Sequence, residues 1–201
     1  MQRLRLWASE PETLQNADLF GSWSGTASNG YSFTYTFEAS GAFTWSLVGA
    51  SGTALLGRGR FSTSGGTLIL TGSFRAEEGD MYRTRLELSP YMGASAFCDS
   101  ALTSDSHDGE IGTWRNVTTV QHLDDNDLPL GEPRTLVEIL DLHPDGSVNE
   151  TTTSGLSRRG RYTRDGDKVT TTFTFGNASS VRTYVLIDDT ALCDPVYRLG
   201  R

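Results

Sequence analysis

Between Tyr31 and Glu38 the chain alternates without a break: Tyr31, Phe33, Tyr35 and Phe37 are aromatic, and Ser32, Thr34, Thr36 and Glu38 are polar. Successive side chains of a strand point to opposite faces, so this segment reads as a strand with one oily face. Ser40-Gly41 turns the chain, and Phe43 and Trp45 carry the pattern into the next strand. Further strands are expected over 53–63, 66–73 and 80–89. They resume over 110–122, 133–142, 147–153, 156–164, 167–176 and 180–188, and a short pair ends at Tyr197-Arg198. Connections this short make antiparallel hairpins. Composition agrees: Ser, Thr and Gly are abundant and Lys168 is the sole lysine, a balance that favours strands and turns over helices.

The two halves match in order. Phe20-Gly21-Ser22-Trp23 corresponds to Ile111-Gly112-Thr113-Trp114, and Ser40-Gly41 to Asp145-Gly146. Arg58-Gly59-Arg60-Phe61 corresponds to Arg159-Gly160-Arg161-Tyr162, Gly65 to Gly166, Arg83-Thr84 to Arg182-Thr183, and Ala96-Phe97-Cys98-Asp99 to Ala191-Leu192-Cys193-Asp194. A period of roughly 90 residues is too long for a solenoid repeat and points to domain duplication. The expected architecture is all-β: two tandem antiparallel barrel or sandwich units, residues 19–102 and 110–201, joined by a polar linker over 103–109. Ser9-Glu10-Pro11-Glu12 has the form of a capping box, so a short helix is expected over about residues 10–17 within the N-terminal segment 1–18.

Net charge narrows the partners. At −8 the chain lacks the basic clusters that phosphate backbones and anionic lipid surfaces require, so nucleic acid is not expected. No apolar run reaches the ~20 residues of a membrane helix, so membrane insertion is not expected either. The first 18 residues show no apolar signal-peptide stretch, which suggests the cytoplasm. Cys98 and Cys193 are then expected as buried thiols, while a bond between them requires the halves to meet about a local two-fold. The oligomeric state is left open.

Each half resembles the short bacterial lipocalin-like domains of the calycin group. The resemblance rests on the opening Gly-x-Trp at Gly21-Ser22-Trp23 and Gly112-Thr113-Trp114, and on an apolar strand ending in a Gly turn. It also rests on Gly160-Arg161-Tyr162 with Asp165-Gly166, and on a closing Tyr-Arg at Tyr197-Arg198. In the first half Ser100-Ala101-Leu102 stands where the closing Tyr-Arg belongs. The resemblance implies a barrel with a small-molecule cavity, as in ligand carriers and in cofactor-free hydratases and cyclases.

Two sets of residues are candidates for a site. The first is the aromatic face of Tyr31, Phe33, Tyr35, Phe43 and Trp45, extended by Arg60, Arg161 and Tyr162, for a small apolar ligand. The arginines suit a carboxylate or phosphate, although exposed strand arginines paired with Glu38 or Glu87 are the better account of them. The second is Glu138 and Glu150. Setting Gly41 against Gly146 places them opposite Phe33 and Trp45, so they point inward unless the register slips by one. A carboxylate in an apolar pocket can serve as general acid or base.

His107, His122 and His143 do not converge in any zinc pattern, and Asp124-Asp125-Asn126-Asp127 lacks the spacing of a calcium loop. Asn116, Asn149 and Asn177 head sequon-like triplets, which Thr-rich strands produce by chance. No phosphate-binding, dinucleotide, nucleophile-elbow or metalloprotease motif is present, and no cofactor is expected. Three functions therefore compete. They are binding of a small, largely apolar molecule in a cavity or between the units, a cofactor-independent cyclase or isomerase acting on a hydrophobic substrate, and a ligand-free interaction module.

Overall fold

The computed structural model describes residues 14–26, 30–49, 52–76, 81–92, 96–99, 101–104, 106–187, 189–193 and 196–198. A single turn of helix, α1 (Asn16–Leu19), precedes an antiparallel succession of strands. It starts later than the capping box suggests, and that motif falls outside the described residues. Leu19 is fully buried, and the Asn16 Oδ1 accepts from the Thr63 backbone N–H at 2.7 Å, which fixes the helix to the sheet.

The first half runs β1 (Gly21–Thr26), β2 (Ser32–Phe37), β3 (Ala42–Gly49), β4 (Gly52–Ser64), β5 (Thr67–Ala76) and β6 (Met81–Leu88). Each pairs with the next. Four very short strands follow: β7 (Tyr91–Met92), β8 (Ala96–Cys98), β9 (Leu102–Thr103) and β10 (His107–Asp108). The second half runs β11 (Ile111–Leu123), β12 (Arg134–Leu142), β13 (Ser147–Thr152), β14 (Ser157–Asp165), β15 (Lys168–Phe175), β16 (Ala178–Ile187) and β17 (Ala191–Cys193), and β18 (Val196–Arg198) ends it. Period-2 alternation sets these strands: Tyr35, Phe37, Phe43, Phe61, Leu68 and Leu70 are buried in one core, and Trp114, Leu140, Leu142, Val148 and Val169 in another.

The same local contacts recur in both halves. Gly41 has φ 80° and Gly146 φ 76°. Both donate their N–H back three residues, to the Glu38 and His143 carbonyls at 2.9 and 3.0 Å. A left-handed residue after a type I turn is the three-residue hairpin that glycine favours. Trp23 and Trp114 are both fully buried, and each indole N–H donates to the carbonyl four residues earlier, Leu19 and Glu110, at 2.7 Å. A buried indole needs such an acceptor.

The ladders correct one sequence match. Arg60 faces Thr71, which faces Arg85, and Arg161 faces Thr172, which faces Val181. Arg85 therefore corresponds to Val181, and the likeness of Arg83-Thr84 to Arg182-Thr183 lies out of register.

Closure is crossed between the halves. Leu102-Thr103, assigned from sequence to the end of one unit and the start of a flexible linker, forms strand β9. It pairs with β17 through Leu102 opposite Leu192, and with β11 through Thr103 opposite Arg115. Strands β11 to β17 and β9 make a closed eight-stranded antiparallel barrel. Reciprocally, β18 lies between β8 and β1, with Tyr197 opposite Ala96 and Ser24. The closing Tyr-Arg therefore joins the first half, which explains why that half has none of its own. The expectation of two free thiols is also overturned: Cys98 and Cys193, immediately before the two crossing segments, form a disulfide with Cα atoms 6.2 Å apart. The halves meet at this point, and the Cα separation is one that a disulfide spans.

Where β4 and β5 cross, Gly59 faces Gly72. A Cβ on Gly59 meets the Thr71 carbonyl oxygen at 2.1 Å, and one on Gly72 meets the Arg58 carbonyl oxygen at 2.1 Å. Backbone cannot retreat as a side chain can. Gly59→Ala is expected to lower unfolding free energy by about 3 kcal/mol, whereas Gly65→Ala, in open space, costs about 1 kcal/mol for its positive φ alone. Urea melts of the two variants check the difference.

Candidate functional site

The inward faces of the two halves differ at one level. Tyr35 faces Trp45 across β2 and β3, and Leu140 faces Glu150 across β12 and β13. Trp45 in turn faces Gly57, and Glu150 faces Arg158. In the first half an indole thus lies over a glycine, where a Cβ would meet the Trp45 and Phe74 rings. In the second half the same place holds an ion pair.

That ion pair is buried inside the second barrel. Glu150 is buried, and its Oε2 accepts from Arg158 Nε at 2.6 Å and Nη2 at 2.5 Å. The Arg158 guanidinium lies 4.1 Å above the Phe173 ring. Glu138 accepts from Arg182 Nη1 at 3.0 Å, and Arg182 sits 4.6 Å from the Tyr184 ring. Both glutamates face the direction that the glycine alignment expects. Each meets an arginine, however, rather than standing alone among apolar side chains. Arg158 shares a face with Tyr162, four residues on, and that parity marks it as inward; the attention drawn by Arg159 and Arg161 hides it.

The first half is open instead. A cavity of about 400 Å³ is walled by Tyr35, Trp45, Leu70, Phe74, Leu86 and Leu88, with Thr84 and Asp99 among them. Leu56, Arg75, Tyr82 and His122 stand around the same space. Leu56 and Tyr82 are exposed and mark its mouth, and the Tyr82 and His122 rings meet edge-on there. Strand β11 contributes Val120 and His122 because its far end pairs with β6, Val120 opposite Leu86. The space is apolar with few polar groups, the usual make-up of a ligand pocket.

Those polar groups divide into a satisfied pair and an unsatisfied one. The Tyr35 hydroxyl donates to the Asp99 carboxylate. Burial, reinforced by the Asp99 charge and hydrogen bond, holds the phenol well above its usual pKa, so it stays protonated and donating. By contrast, the Trp45 indole nitrogen and the Thr84 hydroxyl are buried, and neither has a hydrogen-bond partner among the described residues.

Comparison with known protein families, with characterised proteins and with solved structures finds nothing that this chain matches.

Of the aromatic candidates, Tyr35 and Trp45 line the cavity. Phe33 packs against the core beside it, and Phe43 is buried within that core. Tyr31 is half-buried, with its ring over Gly49. The arginine and tyrosine candidates lie elsewhere. Arg60 is exposed on the outer face of β4. Arg161 donates to the Asp145 carbonyl at 3.1 Å, and Tyr162 donates to the His143 carbonyl at 2.9 Å. Burial, with Glu110 and Asp145 nearby, raises the Tyr162 pKa.

The acidic run 124–127 is a turn. Asp124 Oδ1 accepts the Asn126 and Leu128 N–H groups at 2.8 and 2.9 Å, and Asp127 pairs with Arg83. Among the described residues no three His, Cys, Asp or Glu side chains cluster as a metal site. No helix there is long and apolar enough to cross a membrane.

Asp99 and Thr84 are the site residues that sequence reasoning passes over. Asp99 lies in a segment that looks alike in the two halves, Cys98-Asp99 with Cys193-Asp194, so a signal was present for it; the likeness of Arg83-Thr84 to Arg182-Thr183 is out of register and gives none for Thr84.

Proposed function

We propose that this protein binds a small, largely apolar molecule in the cavity of its first half. One observation carries the reading: the level of the interior that holds the buried Glu150–Arg158 pair in the second half is occupied by Trp45 beside an apolar cavity in the first, with an exposed mouth. The two halves, with their closing strands β9 and β18 exchanged, then divide the work, one receiving the ligand and the other standing beside it as a closed barrel. The likeness to lipocalin-type barrels belongs to this proposal and is supported by the closed antiparallel ring. The net charge of −8 supports a partner other than nucleic acid. The Cys98–Cys193 bond favours an oxidising compartment over the cytoplasm.

The test is titration with N-phenyl-1-naphthylamine, a neutral apolar dye that fluoresces when dehydrated. Saturable one-to-one binding is expected in the micromolar range, and Leu86→Trp, which fills the cavity, is expected to abolish it while leaving the circular dichroism of the strands intact. Dye binding unchanged in that variant would place the site elsewhere and overturn the reading. A cofactor-independent isomerase or cyclase is favoured by a different observation, the phenol–carboxylate pair of Tyr35 and Asp99 in the cavity wall. It requires a substrate proton within reach of Asp99.

A further inference from the structure

We infer that the molecule held in the first-half cavity is neutral and carries a hydrogen-bond acceptor, of the kind a ketone, aldehyde or ester carbonyl provides, which the Trp45 indole and the Thr84 hydroxyl receive together. This rests on the binding reading above and names the chemical class of its ligand.

The argument starts from what the two groups can do. An indole N–H only donates, so Trp45 requires an acceptor; a threonine hydroxyl can donate to the same atom or accept from its neighbour. Thr84 is 2% exposed, and both polar atoms are shut off from solvent with no hydrogen-bond partner among the described residues. Buried polar groups are ordinarily paired, and those that are not call for an explanation. Both residues line one cavity whose remaining lining is mostly apolar. In the second half the position equivalent to Trp45 is Glu150, which has its own arginine. The unsatisfied donor is therefore peculiar to the half that is open.

Charge then selects among acceptors. Asp99 stands in the same wall, with its carboxylate engaged by Tyr35. A carboxylate ligand reaching for Trp45 and Thr84 would enter an apolar space that already holds a negative charge, where repulsion is poorly screened. Arg75 and His122 also border the cavity, but both are exposed to solvent. An acid held by Arg75 there would leave the two inner groups unsatisfied. A neutral carbonyl satisfies them without bringing charge inside.

The experiment uses competition against N-phenyl-1-naphthylamine by 2-decanone, decane and decanoate, on the wild-type chain and on Trp45→Phe and Thr84→Val, with circular dichroism confirming that both variants fold. Thr84→Val keeps the shape and removes the hydroxyl; Trp45→Phe removes the N–H and trims the ring, and the affinity for decane reports any effect of that lost volume. The affinity for 2-decanone is expected to fall about tenfold in each variant, the size of one lost hydrogen bond, while that for decane is unchanged. The carbonyl stretching band of bound 2-decanone is expected to lie at lower wavenumber in the wild type than in Trp45→Phe. Equal affinity for 2-decanone in all three proteins overturns this inference alone. Decanoate binding more tightly than the ketone, and losing that advantage in Arg75→Gln, overturns it in favour of an acid held at the rim. Failure of all three compounds to displace the dye would count against the cavity itself as the site.

Discussion

Replacing Cys98 and Cys193 together by alanine is expected to lower the free energy of unfolding by about 4 kcal/mol. The bond joins residues 95 apart in sequence, and the loop-entropy account gives roughly 4–5 kcal/mol for a loop of that size. Alanine is the right replacement, because both cysteines are 1% exposed and pack with Ala101 and Ala191; serine would add the cost of burying hydroxyls. Urea melts of the wild type with and without reductant, set beside the double variant without it, separate the cross-link from the packing. Reduction should reproduce most of the loss. If the double variant melts with the wild type, the bond does not constrain the unfolded chain, and the argument from loop length fails.

Cutting the chain after residue 195 is expected to damage the half to which the lost segment does not belong in sequence. Strand β18 is bonded to β8 on one side and β1 on the other. Its loss removes about four hydrogen bonds at roughly 1 kcal/mol each and exposes two strand edges. The first-half cavity should lose dye binding, because β1 carries Trp23 into the core that backs Tyr35. The second barrel, closed by β9, should keep slow amide exchange at Val169 and Tyr184. Retained dye binding together with lost protection at Val169 would reverse the assignment of β18.

The sequence discloses these elements unevenly. Alternation placed the long strands to within two or three residues at most ends, because Tyr31 to Phe37 or Lys168 to Phe175 can bury one face in only one way. The inward direction of Glu138 and Glu150 was legible for the same reason, once Gly41 and Gly146 fixed the turns. The crossing was not. Strands β9 and β18 are two and three residues long, too short to show any period, and their partners are set by geometry far away in the chain. The cysteine pairing was hidden with them, since it depends on that crossing. Arg158 is hidden beside the repeated Arg-Gly-Arg triplet, and Arg182 by its likeness to Arg83, which lies out of register. The cavity itself is a matter of which half received an indole over glycine and which a Glu–Arg pair, and two such barrels look alike until the ladder registers are known.

The position of β18 also bears on synthesis. The N-terminal half emerges from the ribosome with all its long strands, yet the stave that seals β1 is made only after β11 to β17. At about 5–20 residues per second, the remaining half of the chain takes on the order of ten seconds to appear. During that time the edge of β1 and the aromatic core behind it wait unsealed, a natural point of attachment for a chaperone and a weak point for aggregation at high expression.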